Sequence, residues 1–524
     1  MSHLHKIQRF AMITMWVISC HCIAQVPAAI VREKCVGGSD FDELLRMIEI
    51  MPGVWTSIGS SASSDGQVPG NNGMRDGFSY TWDEQLNDLF TNGWGGPVDE
   101  KGRDIVADAA NNVVVLMNTQ GTEFGCAMGA NISLLKMSET GTMTHFTCQS
   151  GSGFDEGVKV MIDPATQAIY HLANIRSSDG FYSGYTQHGN TDIGIFKYDQ
   201  NLNFMNGILI GSSGFDLIKD AWIDGNTLWL FGETNGADGD MAGTTAYGSD
   251  DLIAFKFSLD TWSITQKLRY GGSNTEHIER ATPRPGGGFA LFGNTWSTTF
   301  FNCSDPTSNA FRMGVAANGT VDWTGCLQGS GTESISSAVY SPSHNVHFVG
   351  GHSSSTNGDF VGGDPSWDAF VAAVNDGDGE VIWQFLFGGS GSEYNKDLLE
   401  LASGNLLALN STSSNDGDVQ STNHGDEDAW LVEFSHTTSI AERTHVLASL
   451  QVSPVPTTDL ITVQLPAGTQ LIELYDVHGR RVSMETLGIN SPAYVIDLSG
   501  QPAGIYTIRT SATAPNGMGR CVKM

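Results

Sequence analysis

One motif recurs seven times along the chain, at intervals of about 60 residues. Each copy begins with a turn rich in glycine and serine, and an acidic residue follows four or five positions after the turn starts. A unit of this length cannot bury its own apolar face, so successive units must pack against each other in one continuous fold. The acids that mark the seven units, called the anchor acids here, are Asp42, Glu100, Asp155, Asp216, Glu276, Glu333 and Glu393.

Each unit contains four short runs that favour β-strands, except the last, which has three, at 398–401, 406–409 and 429–434. The segment 29–36 leads into the first Gly/Ser turn as 381–387 leads into the last. We therefore expect 29–36 to supply the missing strand and to remove an open sheet edge. The sequence predicts an all-β chain with a seven-bladed β-propeller, in which blades have four strands and the N-terminal strand closes blade 7. A β-solenoid is the alternative repeat architecture.

The N-terminus has the pattern of an export signal. Lys6 and Arg9 precede a mostly apolar stretch, 10–24, which is too short to span a bilayer. Cleavage after Ala24 would remove a signal peptide of residues 1–24. A second interpretation is a lipobox at residues 17–20, which would make Cys20 a lipidated N-terminus.

The C-terminal segment carries a series of landmarks in a fixed order. They are Pro454, Pro456, Asp476, Gly479, Gly504, Tyr506 and Lys523. This series resembles the type A C-terminal sorting domain of the type IX secretion system of Bacteroidetes-type bacteria. The sequence departs from the family pattern at Val455, where an asparagine usually stands between the two prolines. The alternative interpretation of this segment is an ordinary small β-sandwich.

The resemblance implies an address and a set of partners. It implies an Ig-like β-sandwich, transit through the periplasm, and delivery to the outer-membrane surface or the medium. The partners would be the type IX machinery and its sortase-like peptidase. The chain then divides into a signal peptide 1–24, a propeller 25–436, a linker 437–447 and a sorting domain 448–524. The repeats also resemble the extracellular SBBP propeller family through the motif at 425–430, and that family implies a fold without a common activity.

Cysteines recur at two sites within the repeats. Cys126 and Cys303 share one site, and Cys148 and Cys326 share the other. In an exported protein this pattern predicts the disulfides Cys126–Cys148 and Cys303–Cys326, and no pair has the spacing typical of zinc ligands. Cys35 lacks its expected counterpart, and the state of Cys35 and Cys521 stays open.

The five units without a disulfide carry an Asp-Gly or Asn-Gly turn and, about twelve residues later, a further acid. One interpretation is turn chemistry, because Asp and Asn bond their own backbone and glycine supplies positive φ. The other is a structural Ca²⁺ ion, the one cofactor that the sequence raises. The candidate metal ligands are Asp238, Asp240, Asp251, Asp416, Asp418 and Asp428.

A basic residue stands three or four positions after the anchor acid in six of the seven units, and an acid follows three of these bases. The first strand of each blade should place these groups near the propeller axis. They form either a ring of ion pairs between blades or a channel mouth that holds an anionic or sugar ligand. The candidates are Arg46, Arg103, Asp104, Lys159, Lys219, Asp220, Arg280, Lys396 and Asp397.

Charge and motifs exclude several classes of function. With 57 acidic and 26 basic residues the net charge is −31, so nucleic acid is not an expected partner. No serine-nucleophile elbow, zinc-protease motif, P-loop or dinucleotide fingerprint occurs, and no catalytic residue can be assigned. We expect an exported binding or adhesion module for a glycan or a protein. The alternatives are a secreted glycan-active hydrolase or lyase and a structural surface component.

Overall fold

The computed structural model describes most of the chain beyond residue 28. The described ranges are 29–304, 307–363, 366–435, 448–450, 452–453, 455, 457–465, 469–475, 481–486, 492–512 and 517–523. The predicted signal peptide 1–24, the predicted linker 437–447 and the sorting landmarks Pro454, Pro456, Asp476 and Gly479 lie outside them. The chain divides into two compact units, Met1–His436 and Thr437–Met524. Within these ranges, no helix is long and apolar enough to cross a membrane.

The first unit contains seven four-stranded antiparallel sheets, which are the blades. The first strand that the structure describes, β1 (Ala29–Val36), joins the last blade. Blades 1 to 3 are β2 (Asp42–Met51), β3 (Val54–Ser61), β4 (Asp76–Asp83), β5 (Asp88–Trp94); β6 (Glu100–Ala107), β7 (Val113–Thr119), β8 (Asn131–Met137), β9 (Met143–Gln149); and β10 (Glu156–Ile162), β11 (Ile169–Ile175), β12 (Asp192–Tyr198), β13 (Phe204–Ile210).

Blades 4 to 7 repeat this order. They are β14 (Asp216–Asp224), β15 (Thr227–Thr234), β16 (Asp251–Ser258), β17 (Ser263–Tyr270); β18 (Glu276–Pro283), β19 (Phe289–Thr295), β20 (Asn309–Val315), β21 (Val321–Leu327); β22 (Glu333–Ser341), β23 (Val346–Ser353), β24 (Asp368–Asn375), β25 (Val381–Phe387); and β26 (Glu393–Glu400), β27 (Leu406–Thr412), β28 (Asp428–Ser435) with β1. Three short 3-10 helices lie in the loops of blades 2, 3 and 4, at Glu123–Gly125, Gly180–Gly184 and Gly239–Met241.

The blades form a closed ring. The first strand of each blade contacts the first strand of the next, and β26 of blade 7 contacts β2 of blade 1. Seven clusters of buried apolar side chains lie between the blades, one for each pair of neighbours, including the pair of blades 7 and 1. Both faces of each sheet are therefore buried, and each blade depends on two neighbours for its core. The seven-bladed propeller that the repeats predict is confirmed.

The N-terminal strand closes blade 7 as predicted. β1 pairs antiparallel with β28, and Cys35 and Val36 lie opposite Trp430 and Ala429. The predicted run 398–401 covers only the end of the first strand, since β26 begins at the anchor acid Glu393. The start of this strand carries polar side chains toward the propeller axis, so apolar patterning does not reveal it.

The anchor acids hold the turns that enter each blade. All seven are buried. In blade 1, Asp42 Oδ2 accepts hydrogen bonds from the Gly38 amide at 2.6 Å and the Ser63 hydroxyl at 2.8 Å. A Cβ atom on Gly37 would lie 2.2 Å from Asp428 Oδ1, so the turn requires glycine there. In six of the seven blades the anchor acid thus accepts a hydrogen bond from an amide of the turn. In blade 3, Asp155 accepts instead from the amides of Arg176 and Ser177 and from the Ser177 hydroxyl, which in turn accepts from the Gly153 amide of the turn.

The second unit is a β-sandwich of two sheets. One sheet has the order β29-β36-β35-β32-β33 and the other has the order β30-β31-β34, with the bounds β29 (Ala448–Ser449), β30 (Val452–Ser453), β31 (Leu460–Gln464), β32 (Thr469–Tyr475), β33 (Arg481–Thr486), β34 (Ala493–Asp497), β35 (Gly504–Ala512) and β36 (Gly517–Lys523). Buried side chains such as Ile461, Ile472 and Ile508 form its core. Tyr506 and Lys523 meet at one loop: the Tyr506 hydroxyl donates to the Pro502 carbonyl, and Lys523 Nζ donates to three carbonyls at residues 498–501.

Candidate functional site

Every inner strand carries a β-bulge at the same place. The register of the first strand shifts between the second and the fourth residue after the anchor acid in all seven blades. A bulge adds an unpaired residue and bends the strand, so it changes the direction of the side chains that follow. The bulged residues, called the mouth ring here, are Leu45, Arg103, Val158, Lys219, Glu279, Ser336 and Lys396.

The bulge separates the predicted basic residues into two layers along the axis. The residues one position later, called the inner ring here, are Arg46, Asp104, Lys159, Asp220, Arg280, Ser337 and Asp397. All members except Ser337 line one cavity of about 430 Å³ to which all seven blades contribute. The nine candidates from the sequence therefore all lie at the axis, but three of the six bases belong to the mouth ring and three to the inner ring.

Charges of opposite sign alternate around the inner ring. Lys159 Nζ lies 3.0 Å from Asp220 Oδ1 in the next blade. Each of the three acids also accepts a backbone hydrogen bond from the following blade; Asp104 Oδ2, for example, accepts from the Val160 amide at 2.8 Å. Burial raises the pKa of Asp104 and Asp397, and the positive charges of Lys159 and Arg46 oppose that rise. The inner-ring acids thus connect neighbouring blades.

Three mouth-ring cations have carboxylate partners. Arg103 Nη2 lies 2.5 Å from Glu156 Oε1. Lys219 Nζ lies 3.5 Å from Glu233 Oε1, and Lys396 Nζ lies 3.8 Å from a carboxylate oxygen of Glu43. These pairs match the ion-pair interpretation of the basic repeat pattern, and they leave little positive charge on the mouth ring itself.

Two inner-ring arginines differ from the other cations. Arg46 Nη1 donates to the carbonyls of Leu45 at 2.6 Å and Lys396 at 2.9 Å, and Arg280 Nη1 donates to the Glu279 carbonyl at 2.5 Å. Among the residues that the structure describes, neither guanidinium forms an ion pair with a carboxylate. Both side chains line the inner cavity and two further cavities, of about 330 Å³ and 290 Å³, on the mouth side. These arginines have donors free for an anion.

The candidate calcium ligands are engaged in turn chemistry. Asp238 Oδ1 accepts from the Ser213 amide, and Asp416 Oδ1 accepts from the Ser390 amide. The remaining four, Asp240, Asp251, Asp418 and Asp428, likewise accept backbone amides of nearby loops. In the described part of the chain, no group of three His, Cys, Asp or Glu side chains is placed to hold a metal ion. The turn interpretation explains these contacts, and calcium stays a prediction.

Both predicted disulfides are present. Cys126 pairs with Cys148 and Cys303 with Cys326, with Cα–Cα distances of 5.4 and 5.5 Å. Each bond joins a loop to the outer strand of its own blade, whereas the Asx side chains join the equivalent loop to the turn that enters the blade. Cys35 is a free buried thiol, and burial raises its pKa to about 12.

One buried polar network has no recognisable pattern in the sequence. His347 Nδ1 lies 2.8 Å from Thr282 Oγ1, and His347 Nε2 lies 3.0 Å from Asp376 Oδ1, which Arg284 also binds at 2.6 Å. The hydroxyl, imidazole and carboxylate are linked in the same order as in a hydrolase triad. Thr282, His347 and Asp376 are all buried, however, and line none of the cavities described above. The network therefore connects blades 5 and 6.

A buried histidine gives a pH-dependence that can be measured. His171 is fully buried against Phe196, with Nε2 3.1 Å from Gln149 Oε1, and burial lowers its pKa to about 3. Below an unfolded pKa of about 6.5 the unfolded chain takes up a proton that the folded chain refuses, so folding loses about 1.4 kcal/mol per pH unit. We expect the stability difference between wild type and His171→Gln to decline as pH falls from 7 to 4. Urea denaturation at each pH checks this, and parallel curves would contradict it.

Comparisons with known proteins identify the C-terminal unit. Residues 451–523 match the family model described as the secretion system C-terminal sorting domain. No curated protein matches the chain. Solved structures with similar architecture include the WD40 domain of Neurospora crassa Pan2, at 10% identity over 76% of this chain and 90% of that chain, with a TM-score of 0.41. A europium-containing methanol dehydrogenase is 11% identical over 74% of this chain and 80% of that chain, with a TM-score of 0.40.

The propeller assignment is based on the closed ring of seven sheets. The cellular destination of the protein is inferred from the sorting domain. Sorting domains of this family mark proteins for delivery to the cell surface or the medium through the type IX machinery. The chain is therefore an exported β-propeller protein that carries a type IX secretion C-terminal sorting domain.

Proposed function

We propose that the exported propeller is a binding module and that its ligand presents a negatively charged group to Arg46 and Arg280 at the axial mouth. The observation that carries this proposal is the absence of an ion-pair partner for either guanidinium among the described residues, although both line all three axial cavities. Guanidinium groups bind carboxylates and sulfates through paired, charge-assisted hydrogen bonds.

The charge of the rest of the protein makes this site unusual. The chain carries 57 acidic and 26 basic residues, so most of its surface repels anions. The lining of the cavity of about 330 Å³ contains five cations and two carboxylates, which are Arg46, Arg103, Arg176, Lys219 and Arg280, and Glu156 and Glu279. Because Arg103 and Lys219 are paired with Glu156 and Glu233, the excess of positive charge comes from Arg46, Arg176 and Arg280. The volume of this cavity lies within the range of small-ligand sites, and a concave wall strengthens the field of the charges that line it.

The test uses the whole protein and four immobilised probes: polygalacturonate, chondroitin sulfate, poly-glutamate and neutral dextran. We expect retention on at least one acidic probe and none on dextran. The double variant Arg46→Gln/Arg280→Gln should lose about 100-fold in affinity, because two charge-assisted contacts contribute about 3 kcal/mol. The control Lys197→Gln/Lys267→Gln removes the same charge from blades 3 and 4 away from the axis and should bind as wild type does.

Other outcomes would favour the two alternative functions. Soluble oligosaccharides released from a probe would indicate a hydrolase or lyase, and Glu279, whose pKa is raised by burial, would be the first acid to replace. Self-association without retention on any probe would indicate a structural surface component. Equal retention of wild type and the double variant would contradict the proposed site.

A further inference from the structure

The two cavities on the mouth side lie on either side of the free arginines. They share Leu45, Arg46, Glu279 and Arg280 as a common wall. The cavity of about 330 Å³ extends over blades 2 to 4, and the cavity of about 290 Å³ extends over blades 6 and 7. A ligand with its charged group at Arg46 and Arg280 can therefore continue in both directions.

One side ends in an arginine held between two exposed aromatic rings. Phe154 and Phe215 are 57% and 39% exposed, and Arg176 Cζ lies 5.9 Å from the centroid of each ring. Arg176 Nε donates to Thr191 Oγ1 at 3.0 Å, which fixes the guanidinium in place. Exposed large apolar side chains at the edge of a polar cavity are typical of a binding surface.

The other side contains a second aromatic group. The ring of His352 lies 5.2 Å from that of Trp367 and 5.0 Å from that of Tyr394, and Lys396 Nζ lies 5.7 Å from the Tyr394 centroid. Burial and the charge of Lys396 lower the pKa of His352 to about 4, so this ring is neutral at pH 7. His352 and Tyr394 line the cavity of about 290 Å³ beside Lys396, so this side presents uncharged aromatic side chains next to one cation of its own.

The two cavities together have Arg46 and Arg280, which can bind a carboxylate or a sulfate, in the centre. Aromatic side chains lie on both sides of these arginines. A sugar ring has an apolar face of C–H groups, which packs on an aromatic ring, and a polar edge of hydroxyls, which bonds to side chains such as Asn174 and Ser336. We infer that the mouth binds an acidic oligosaccharide of at least three sugar residues, with its carboxylate or sulfate at Arg46 and Arg280. This inference rests on the proposed function, since it names the class of the ligand at the same site.

Chain length provides the test. The whole protein is titrated calorimetrically with galacturonate oligomers of one to six residues, with chondroitin sulfate oligosaccharides and with neutral galactose oligomers. We expect affinity for at least one acidic series to rise about 100-fold from monomer to trimer, because one aromatic contact on each side contributes about 1.4 kcal/mol, and then to level off. The neutral series should bind about 100-fold more weakly.

Single aromatic variants separate the subsites from the arginines. Phe154→Ala and Tyr394→Ala should each lower the affinity for the trimer by about tenfold and leave that for the monomer unchanged. Phe204→Ala is the matched control, because Phe204 is 44% exposed on the outer strand of blade 3 and lines none of these cavities.

The outcomes distinguish this inference from the proposed function. Equal affinity for monomer and trimer, lost in Arg46→Gln/Arg280→Gln, would overturn the oligosaccharide inference and leave the anion site standing. Poly-glutamate binding as tightly as the acidic trimers would identify an acidic peptide and overturn it too. No binding to either acidic series, with no effect of the double variant on any probe, would overturn both.

Discussion

Deletion of residues 29–36 is expected to abolish the cooperative unfolding transition of the propeller or to lower its midpoint by more than about 10 °C. The deleted strand β1 is the outer strand of blade 7, and it buries Cys35 and Val36. It also supplies Glu33, whose Oε2 accepts hydrogen bonds from Trp430 Nε1 at 2.7 Å and Ser421 Oγ at 2.6 Å. Without β1 these two donors, of which Trp430 is buried, lose their acceptor, and the edge of β28 loses its paired strand.

The same strand connects blade 7 to blade 1. Lys34 Nζ donates to the Leu86 carbonyl at 2.9 Å, and Val36 belongs to the apolar cluster that blades 7 and 1 share. Loss of β1 therefore weakens the ring at the place where its two ends meet. The expected loss of more than about 5 kcal/mol is comparable with the whole stability of a typical domain.

Rescue by a peptide makes this prediction specific. Addition of a peptide of residues 29–36 to the deleted protein should restore the transition, and a peptide with Val36→Asp should not, because it places a charge in a fully buried position. A chain that starts at residue 29 is the control and should melt as the wild type does. Calorimetry measures each case, and an unchanged midpoint after deletion would contradict a closing role for β1.

Replacement of a buried anchor acid should be among the most destabilising single substitutions in the propeller. Glu393 is fully buried, and its carboxylate accepts from Gly389 N at 2.8 Å, Thr412 Oγ1 at 2.7 Å and Ser414 Oγ at 2.6 Å. Glu393→Ala would leave three donors without this acceptor, two of them the buried hydroxyls of Thr412 and Ser414, and should lower the free energy of unfolding by about 3–5 kcal/mol.

Two further variants separate the charge from the shape of this residue. Glu393→Gln keeps the side-chain volume but replaces one acceptor by a donor, so it should lower the free energy of unfolding by about 1–3 kcal/mol. Asp426→Ala removes an exposed acid of the same blade and should change it by less than about 0.5 kcal/mol. Urea denaturation of the three variants measures the order of their free energies of unfolding. If Glu393→Ala left the free energy of unfolding unchanged, the anchor acids would not hold the turns.

The repeat pattern predicted the number of blades, the closing strand and both disulfides, because each depends on residue types at fixed intervals. The length of the inner strands was harder to predict, since the first half of β26 points polar side chains toward the axis and has no apolar signal. The alternation of apolar and polar residues does not identify the start of these strands, because their polar side chains face the axial cavity rather than the outer surface of the protein.

The β-bulge explains why the basic pattern was ambiguous in the sequence. In the sequence, a base at three or at four positions after the anchor acid looks like one position that is poorly aligned between repeats. In the structure, the bulge places the third position and the fourth position in different layers along the axis. The network of Thr282, His347 and Asp376 was invisible for another reason. Its members are separated by 65 and 29 residues and belong to no repeated motif.

The alternating charges of the inner ring are subject to a rule of parity. Signs can alternate around a closed circle without a conflict only when the circle has an even number of positions, and a ring of seven must contain one mismatch. Ser337, between Arg280 and Asp397, is neutral and takes the mismatched position. An uncharged residue in blade 6 therefore avoids a repulsive contact. A positive charge there would repel Arg280, and a negative charge would repel Asp397. The odd number of blades thus creates an electrostatic frustration that this single serine relieves.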